Sequence, residues 1–247
     1  VVPAILPPKI MCVDHLLVLA IDSSLGRVDK DSFSQQTLME LFVDRMINTE
    51  RIYKKEGTND IADWEGIKFS HYGDILTIDW HNFRLKGTLS LQWLPNTTQR
   101  VLLWRNAFSN SIDLTVLPPS ILELSVAQNS LAGSVNLEEL PDSLELLNLN
   151  QNRFSGAVNL TMLPKGMRKL NIHGNKFSGS VNLTLLPRTL EELYLYENDF
   201  SGETDFSQLP NSLVHFYVLS TKLSGTLHIS KGKHFGAGNS DVTVVRE

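Results

Sequence analysis

Proline returns every 23 residues without a slip, at Pro95, Pro118, Pro141, Pro164, Pro187 and Pro210. Glycine keeps the same interval at Gly87, Gly133, Gly156, Gly179, Gly202 and Gly225, with Asn110 in the one gap. Asparagine follows at Asn106, Asn129, Asn152, Asn175 and Asn198, until Thr221 breaks the series. A register held this long with no insertion restricts the fold to a coil in which every copy takes the same place in successive turns. One unit has too little chain to bury its own apolar edge, so each copy must serve as the core of its neighbour.

Read from the proline, the unit is L-P-x-x-L-x-x-L-x-L-x-x-N-x-F-S-G-x-V-N-L-x-x. Its apolar residues alternate in the stretch LELLNLN, the period of a short strand. Leu147 and Leu149 therefore point to one side, and Leu146, Asn148 and Asn150 to the other. The Asn152 side chain both donates and accepts, so a column of such amides can satisfy backbone groups at each sharp turn. Phe154, Phe177 and Phe200 are expected to stack inside, Gly156 to permit a turn that a Cβ obstructs, and Pro164 to close one side of the coil. The spacing gives seven units, at 72–94, 95–117, 118–140, 141–163, 164–186, 187–209 and 210–232.

The segment L-x-x-L-x-L-x-x-N resembles the core of the leucine-rich repeat, and N-x-F-S-G-x-V resembles its plant-type and protist variants. The wording is most similar in style to leucine-rich repeat proteins of kinetoplastid-like protists. The resemblance covers about two thirds of the chain. It implies an α/β-type solenoid: a right-handed coil with a parallel β-sheet on its concave face and an N-terminal cap containing an α-helix. It also implies that binding uses the variable positions of that strand face.

The ends do not repeat. Residues 1–71 read as an arm and a helical cap, residues 72–232 as the repeats, and residues 233–247 as a closing tail. Ser32 with Gln35 reads as a capping box, with Asp31 adding acid at a helix start. Leu38, Leu41, Phe42, Arg45 and Met46 follow helical spacing, and Lys54, Lys55 and Gly57 suit a helix end. A helix is expected over roughly 33–55. Trp64, Gly66, Ile67 and Gly73 resemble the N-terminal cap of plant and protist leucine-rich repeat proteins, without the paired cysteines of the plant extracellular forms. In the tail, Val242, Val244 and Val245 are expected to form a closing strand after a loop over 236–240. The Pro-rich arm 1–10 is expected to dock onto a neighbour.

Composition narrows the function classes. The net charge of −5 opposes binding through phosphates, and no nucleic acid partner is expected. The only cysteine is Cys12, which leaves no internal disulfide and favours an intracellular protein over a secreted or surface one. The apolar run Leu16 to Ile21 is far shorter than the roughly 20 residues of a membrane span, so no membrane insertion is expected. Cys12 near His15 reads as incidental. The seven histidines show no metal-ligand spacing, and no phosphate-binding loop appears. No enzyme activity, cofactor or metal is therefore expected. Three N-glycosylation sequons begin at Asn96, Asn159 and Asn182; the last two belong to the repeat wording VNLT.

The strand positions directed away from the core are Thr77, Asp79, His81; Arg100, Leu102, Trp104; Glu123, Ser125, Ala127; Leu146, Asn148, Asn150; Lys169, Asn171, His173; Glu192, Tyr194, Tyr196; and His215, Tyr217, Leu219. Tyr194, Tyr196 and Tyr217 should form one cluster, and Leu102 with Trp104 a second apolar spot beside Arg100 and Arg105. Exposed aromatics are enriched at protein interfaces, and the mixed charge favours a protein partner over a polyanion. The expected binding residues are Arg100, Trp104, Asn148, Asn150, Asn171, His173, Glu192, Tyr194, Tyr196, His215 and Tyr217. This describes a protein-protein interaction module, a scaffold or structural subunit of a hetero-complex. The alternative is the ligand-binding ectodomain of a receptor-like protein.

Overall fold

In a computed structural model, residues 30–53 and 59–246 are described. The readings made on the arm 1–10, Cys12, His15, Leu16 to Ile21, Lys54, Lys55 and Gly57 lie outside them.

The chain is a leucine-rich-repeat-type solenoid with two nine-stranded sheets on its sides. The first sheet runs through Ile67–Phe69, Ile75–Asp79, Arg100–Leu102, Glu123–Ser125, Leu146–Asn148, Lys169–Asn171, Glu192–Tyr194, His215–Tyr217 and His234–Gly236. All its pairings are parallel except the first, where Ile67–Phe69 runs antiparallel to Ile75–Asp79. Register is one residue to one residue: Lys169 faces Leu146 and Glu192, and Asn171 faces Asn148 and Tyr194. The second sheet lies on the other side of the coil, from Met46–Ile47 to Asp241–Arg246, and carries the N-x-F-S-G segments, such as Arg153–Gly156.

Between the sheets the apolar residues of the repeat form one continuous core. Leu147, Leu149, Leu170, Leu193 and Leu195 are fully buried. Phe154, Phe177 and Phe200 stack in a column, with centroids 6.1 and 6.2 Å apart and rings nearly parallel. The asparagine column does what its chemistry suggested. Asn152 Nδ2 donates to the carbonyls of Leu149 in its own turn (3.1 Å) and Val126 in the turn before (2.9 Å). Its Oδ1 accepts from the Leu131 amide, also in the turn before (3.0 Å). Asn106, Asn129, Asn175 and Asn198 repeat the pattern. Each amide thus ties its turn to the preceding one. Asn110, the substitute in the glycine series, holds the same left-handed backbone at φ 71°.

The ends depart from the sequence reading in two ways. The helix covers only Gln35–Val43 and is capped by Ser34, whose hydroxyl accepts from the Thr37 amide at 3.1 Å. Gln35 does not close a capping box with Ser32. It reaches across to the first repeat, donating to Gly73 O and accepting from the Ile75 amide. After Asp44 the chain leaves the helix to pair Met46–Ile47 antiparallel with Lys86–Gly87, so sheet closure overrides helical spacing. In addition, residues 233–246 supply an eighth turn with a strand in each sheet. Asp241–Arg246 includes the expected valines, but His234–Gly236 is a strand the reading missed. The cap motif at Trp64 and Gly66 is accounted for: Trp64 is buried, and a Cβ on Gly66 would stand 2.1 Å from the Asp79 carbonyl oxygen at φ +76°.

Candidate functional site: the strand face

The solvent side of the first sheet carries three columns, because parallel one-to-one register brings equivalent positions side by side. The first column is charged and internally paired. Arg100 meets Glu123 at 2.7 Å, and Lys169 meets Glu192 at 2.5 Å. His215 then stacks on His234 at 5.0 Å. These pairs leave mixed rather than single-sign charge on the face.

The tyrosine cluster forms as expected. Tyr194 and Tyr217 stack in parallel at 5.6 Å, and Tyr196 stands edge-on to both at 6.4 Å. Gly236 makes room for it, since a Cβ there would lie 2.9 Å from the Tyr217 ring. The Tyr194 hydroxyl donates to Glu192 at 2.9 Å, and the Lys169 ammonium lies 5.5 Å from the Tyr194 ring centroid. Burial, with the Glu192 carboxylate beside it, pushes the Tyr194 hydroxyl well above the usual phenol range. Burial works to raise Glu192, but its bonds from Lys169 and Tyr194 hold the carboxyl below its ordinary value. Both tyrosine hydroxyls of this strand therefore stay protonated at neutral pH, Tyr196 also being raised by burial and by Glu197.

The third column follows the strand ends, where the parallel ladder continues. The amides of Arg105, Gln128, Gln151, Gly174 and Glu197 donate to the carbonyls of Ala127, Asn150, His173, Tyr196 and Leu219. In this column His81 stacks on Trp104 at 4.4 Å with planes 7° apart, and His173 stacks on Tyr196 at 4.1 Å with planes 10° apart. His81 Nδ1 and Asp79 Oδ1 are 2.6 Å apart, which fixes the imidazole against the indole. Between Trp104 and Asn150 lies an open depression of about 520 Å³. Its floor is Ser125 and Ala127, and Leu102 and Leu146 are among its walls.

Five positions assigned to the outer face are largely covered. Asn171 and His173, two of the expected binding residues, are 7% and 8% exposed; Thr77, Ser125 and Ala127 are similarly buried. They do point outward, but Tyr196 stacks over His173, and the short side chains of Ser125 and Ala127 lie at the bottom of the depression. His173 also bonds Asn171 Oδ1 at 2.7 Å, and burial lowers its basicity. Their part is to hold Tyr196 and Tyr194 in place. Arg100, Trp104, Asn148, Asn150, Glu192, Tyr194, Tyr196, His215 and Tyr217 remain accessible to different degrees. His234 was not foreseen on this face, because it follows His215 by 19 residues and falls outside the 23-residue series.

Elsewhere, the sequon residues Asn159 and Asn182 are exposed. Each Oδ1 accepts from the amide and hydroxyl of the threonine two residues on. Asp113 makes the same turn, so the position selects a short carboxyl or amide side chain for local geometry. Asn96, also exposed, donates its Nδ2 to Asp31 at 2.6 Å. Among the described residues no cluster of three metal-ligating side chains occurs, and no helix is long and apolar enough to cross a membrane.

No sequence-family description and no curated protein matches the chain. The fold has clear counterparts among solved structures. The Arabidopsis receptor kinase HAESA, solved with the peptide hormone IDA and the co-receptor SERK1, superposes with a TM-score of 0.63 over 78% of this chain at 21% identity. A PEPR1–AtPEP1 structure gives 0.55 over 81% at 17% identity. The leucine-rich repeat ectodomain of the receptor kinase GASSHO1/SCHENGEN3 from Arabidopsis thaliana, in complex with CASPARIAN STRIP INTEGRITY FACTOR 2, gives 0.51 over 85% at 15% identity. This chain covers 38%, 35% and 33% of those three chains. The likeness is one of fold.

Proposed function

We propose that this chain is a non-enzymatic binding module that takes a peptide or protein segment on its strand face, centred on Tyr194, Tyr196 and Tyr217. The observation that carries the reading is the packing of these three rings on an open sheet. Tyrosine is a common anchor at interfaces because it offers large area and a polar tip at little entropic cost. Here the rings are held by Gly236, His173 and the Lys169–Glu192 pair before any partner arrives. Preorganisation of this kind cuts the cost of binding.

Two settings suit such a module. One is a scaffold or structural subunit of a hetero-complex inside the cell, favoured by the single cysteine and the cysteine-free cap. The other is the ligand-binding ectodomain of a secreted or surface protein. The second has the stronger support: the fold likeness runs to plant receptor structures solved with peptides or proteins, and the Asn159 and Asn182 sequons are exposed. The repeat wording suggests a protist source in either setting.

The test is affinity capture from native extract with the natural protein and with a Tyr194→Ala/Tyr196→Ala/Tyr217→Ala variant, read by mass spectrometry. A partner set lost in the variant is expected. Partners retained by the variant, or a lone monomer with nothing attached, overturn the reading. Glycan on Asn159 or Asn182 of the native protein selects the ectodomain setting, and its absence from both removes that support.

A further inference from the structure

The two ends of the coil are finished differently. At the first turn, the helix Gln35–Val43 packs its apolar side chains inward, and Phe42 stacks on Trp80 at 5.8 Å. The antiparallel strands Met46–Ile47 and Ile67–Phe69 close the sheets there and leave edges of two and three residues. At the last turn, Asp241–Arg246 forms the edge of the second sheet. All six of its residues pair with Ser224–Ile229 on one side, and among the described residues it has no strand on the other. Such an edge presents a row of outward backbone donors and acceptors.

The side chains of this strand are unfinished in the same way. Register sets Val244 in the column of Leu227 and Arg246 in that of Ile229. Leu227 is fully buried, whereas Val244, one turn on, is 39% exposed. Val242 is only partly buried against the core, and Val245, on the outer side, is 37% exposed. Between Asp241 and Arg246 there is no proline, no charge and no bulge, the devices that usually protect an edge.

The strand's own sequence selects the partner. A two-fold axis perpendicular to the sheet pairs antiparallel copies and keeps each face of the sheet on its own side, so core-side residues meet core-side residues. Centred on Thr243, the pairing sets Thr243 against its copy and Val242 against the copy's Val244 at two places. The two open cores then join valine to valine. Asp241 lies opposite Val245, so like charges stay apart. Centred on Val244, the pairing would set Val242 against Arg246 and lose that match. Head-to-tail stacking finds no edge of equal length at the capped end, so the arrangement closes at two copies.

We propose that the chain forms a tail-to-tail dimer through Asp241–Arg246, with the second sheet continuous across the two-fold axis. The partner is a second copy of this chain. The axis leaves both strand faces on the same side, so the dimer presents two tyrosine clusters together and can engage a bivalent ligand. The dimer does not depend on what that face binds.

The experiment is sedimentation equilibrium of the purified full chain from about 1 to 100 µM. A rise to twice the chain mass is expected. Thr243 is exposed, so Thr243→Lys leaves the fold intact, as far-ultraviolet circular dichroism should show, while setting two ammonium groups face to face on the axis. It should weaken dimerisation by about ten-fold or more. Thr243→Glu alone should do the same, and the two variants mixed in equal amounts should recover the dimer. A chain that stays monomeric over that range, a dimer indifferent to Thr243→Lys, or a Lys and Glu mixture that stays apart overturns the proposal. So does a native partner lost from Thr243→Lys while the pure chain remains monomeric, since the edge then serves a foreign strand.

Discussion

Asn150 and Asn152 stand two residues apart on the same turn and live under different rules. Asn152 belongs to an interior column with asparagine in five successive turns, each amide bonded to its own turn and the one before. Asn150 belongs to a face column that reads His81, Trp104, Ala127, Asn150, His173, Tyr196, Leu219. The interior repeats because each residue packs against a copy of itself and must satisfy the same backbone groups every time. The face has no such obligation, so its departures from repetition carry the information about partners.

The contrast can be tested hardest in the phenylalanine column. Phe177→Ala removes a ring packed between Phe154 and Phe200 and should cost about 3–5 kcal/mol in denaturant unfolding. Tyr217→Ala on the face should cost well under that, about 1 kcal/mol, while weakening partner capture. If the two cost the same, the division between core and face is wrong.

Next in size is the amide column. Asn152→Leu strands the buried Leu131 amide and takes one of two side-chain donors from the Val126 and Leu149 carbonyls, which keep Asn129 and Asn175, and should lose about 1–3 kcal/mol. Asn148→Leu, on the face, should change stability by less than about 1 kcal/mol in the same assay.

A smaller effect concerns the residue just before each column asparagine, and before Thr221 where the series ends. Arg105, Gln128, Gln151, Glu197 and Ser220 all hold left-handed backbone, with φ between 51° and 57°, and Gly174 occupies the sixth such position at 64°. Side chains resist that region by roughly 1–2 kcal/mol, of which glycine's greater freedom when unfolded returns about 0.5–1. Gln151→Gly should therefore stabilise by about 0.5 kcal/mol, and Gly174→Ala should destabilise by about 1 kcal/mol, as read from melting curves.

The smallest effect is on pH. The Glu192 carboxyl sits below its ordinary value in the fold, so its contribution is complete above the unfolded value of 4.5 and fades as pH falls through the folded one. Glu192→Gln should remove that small contribution at neutral pH and so flatten the fall in stability through the acid range. A steeper acid loss in the variant contradicts the pairing.

The coil, the strand alternation, the amide column and the phenylalanine stack could all be read from the sequence, because periodicity and side-chain chemistry determine them locally. The tyrosine cluster was legible for the same reason: register follows from spacing. What escaped the reading is set by tertiary contacts. The helix stops at Val43 because Met46–Ile47 closes onto Lys86–Gly87, and no pattern within residues 33–55 announces that. His234 joins the face through a turn of different length. The burial of Asn171 and His173 depends on how far Tyr194 and Tyr196 lean. The left-handed column did carry a signal that went unused: Asn82, Arg105, Gln128, Gln151, Gly174, Glu197 and Ser220 are all polar or glycine.

Thr221, where the asparagine series ends, has a consequence for dynamics. Its hydroxyl has a single hydrogen, given to Val218 in its own turn at 2.7 Å. Asn198, one turn earlier, bonds Leu195 in its own turn and also Ile172 in the turn before. The seam between 187–209 and 210–232 thus lacks the amide rivet found at every earlier joint back to Asn106. Tyr194 and Tyr217 stack directly across it. Amide-proton exchange should therefore show the C-terminal turns opening as one cooperative unit ahead of the rest. A ligand gripping both tyrosines would staple that seam, so slowed exchange beyond residue 210 would register occupancy of the face even when the ligand itself is invisible.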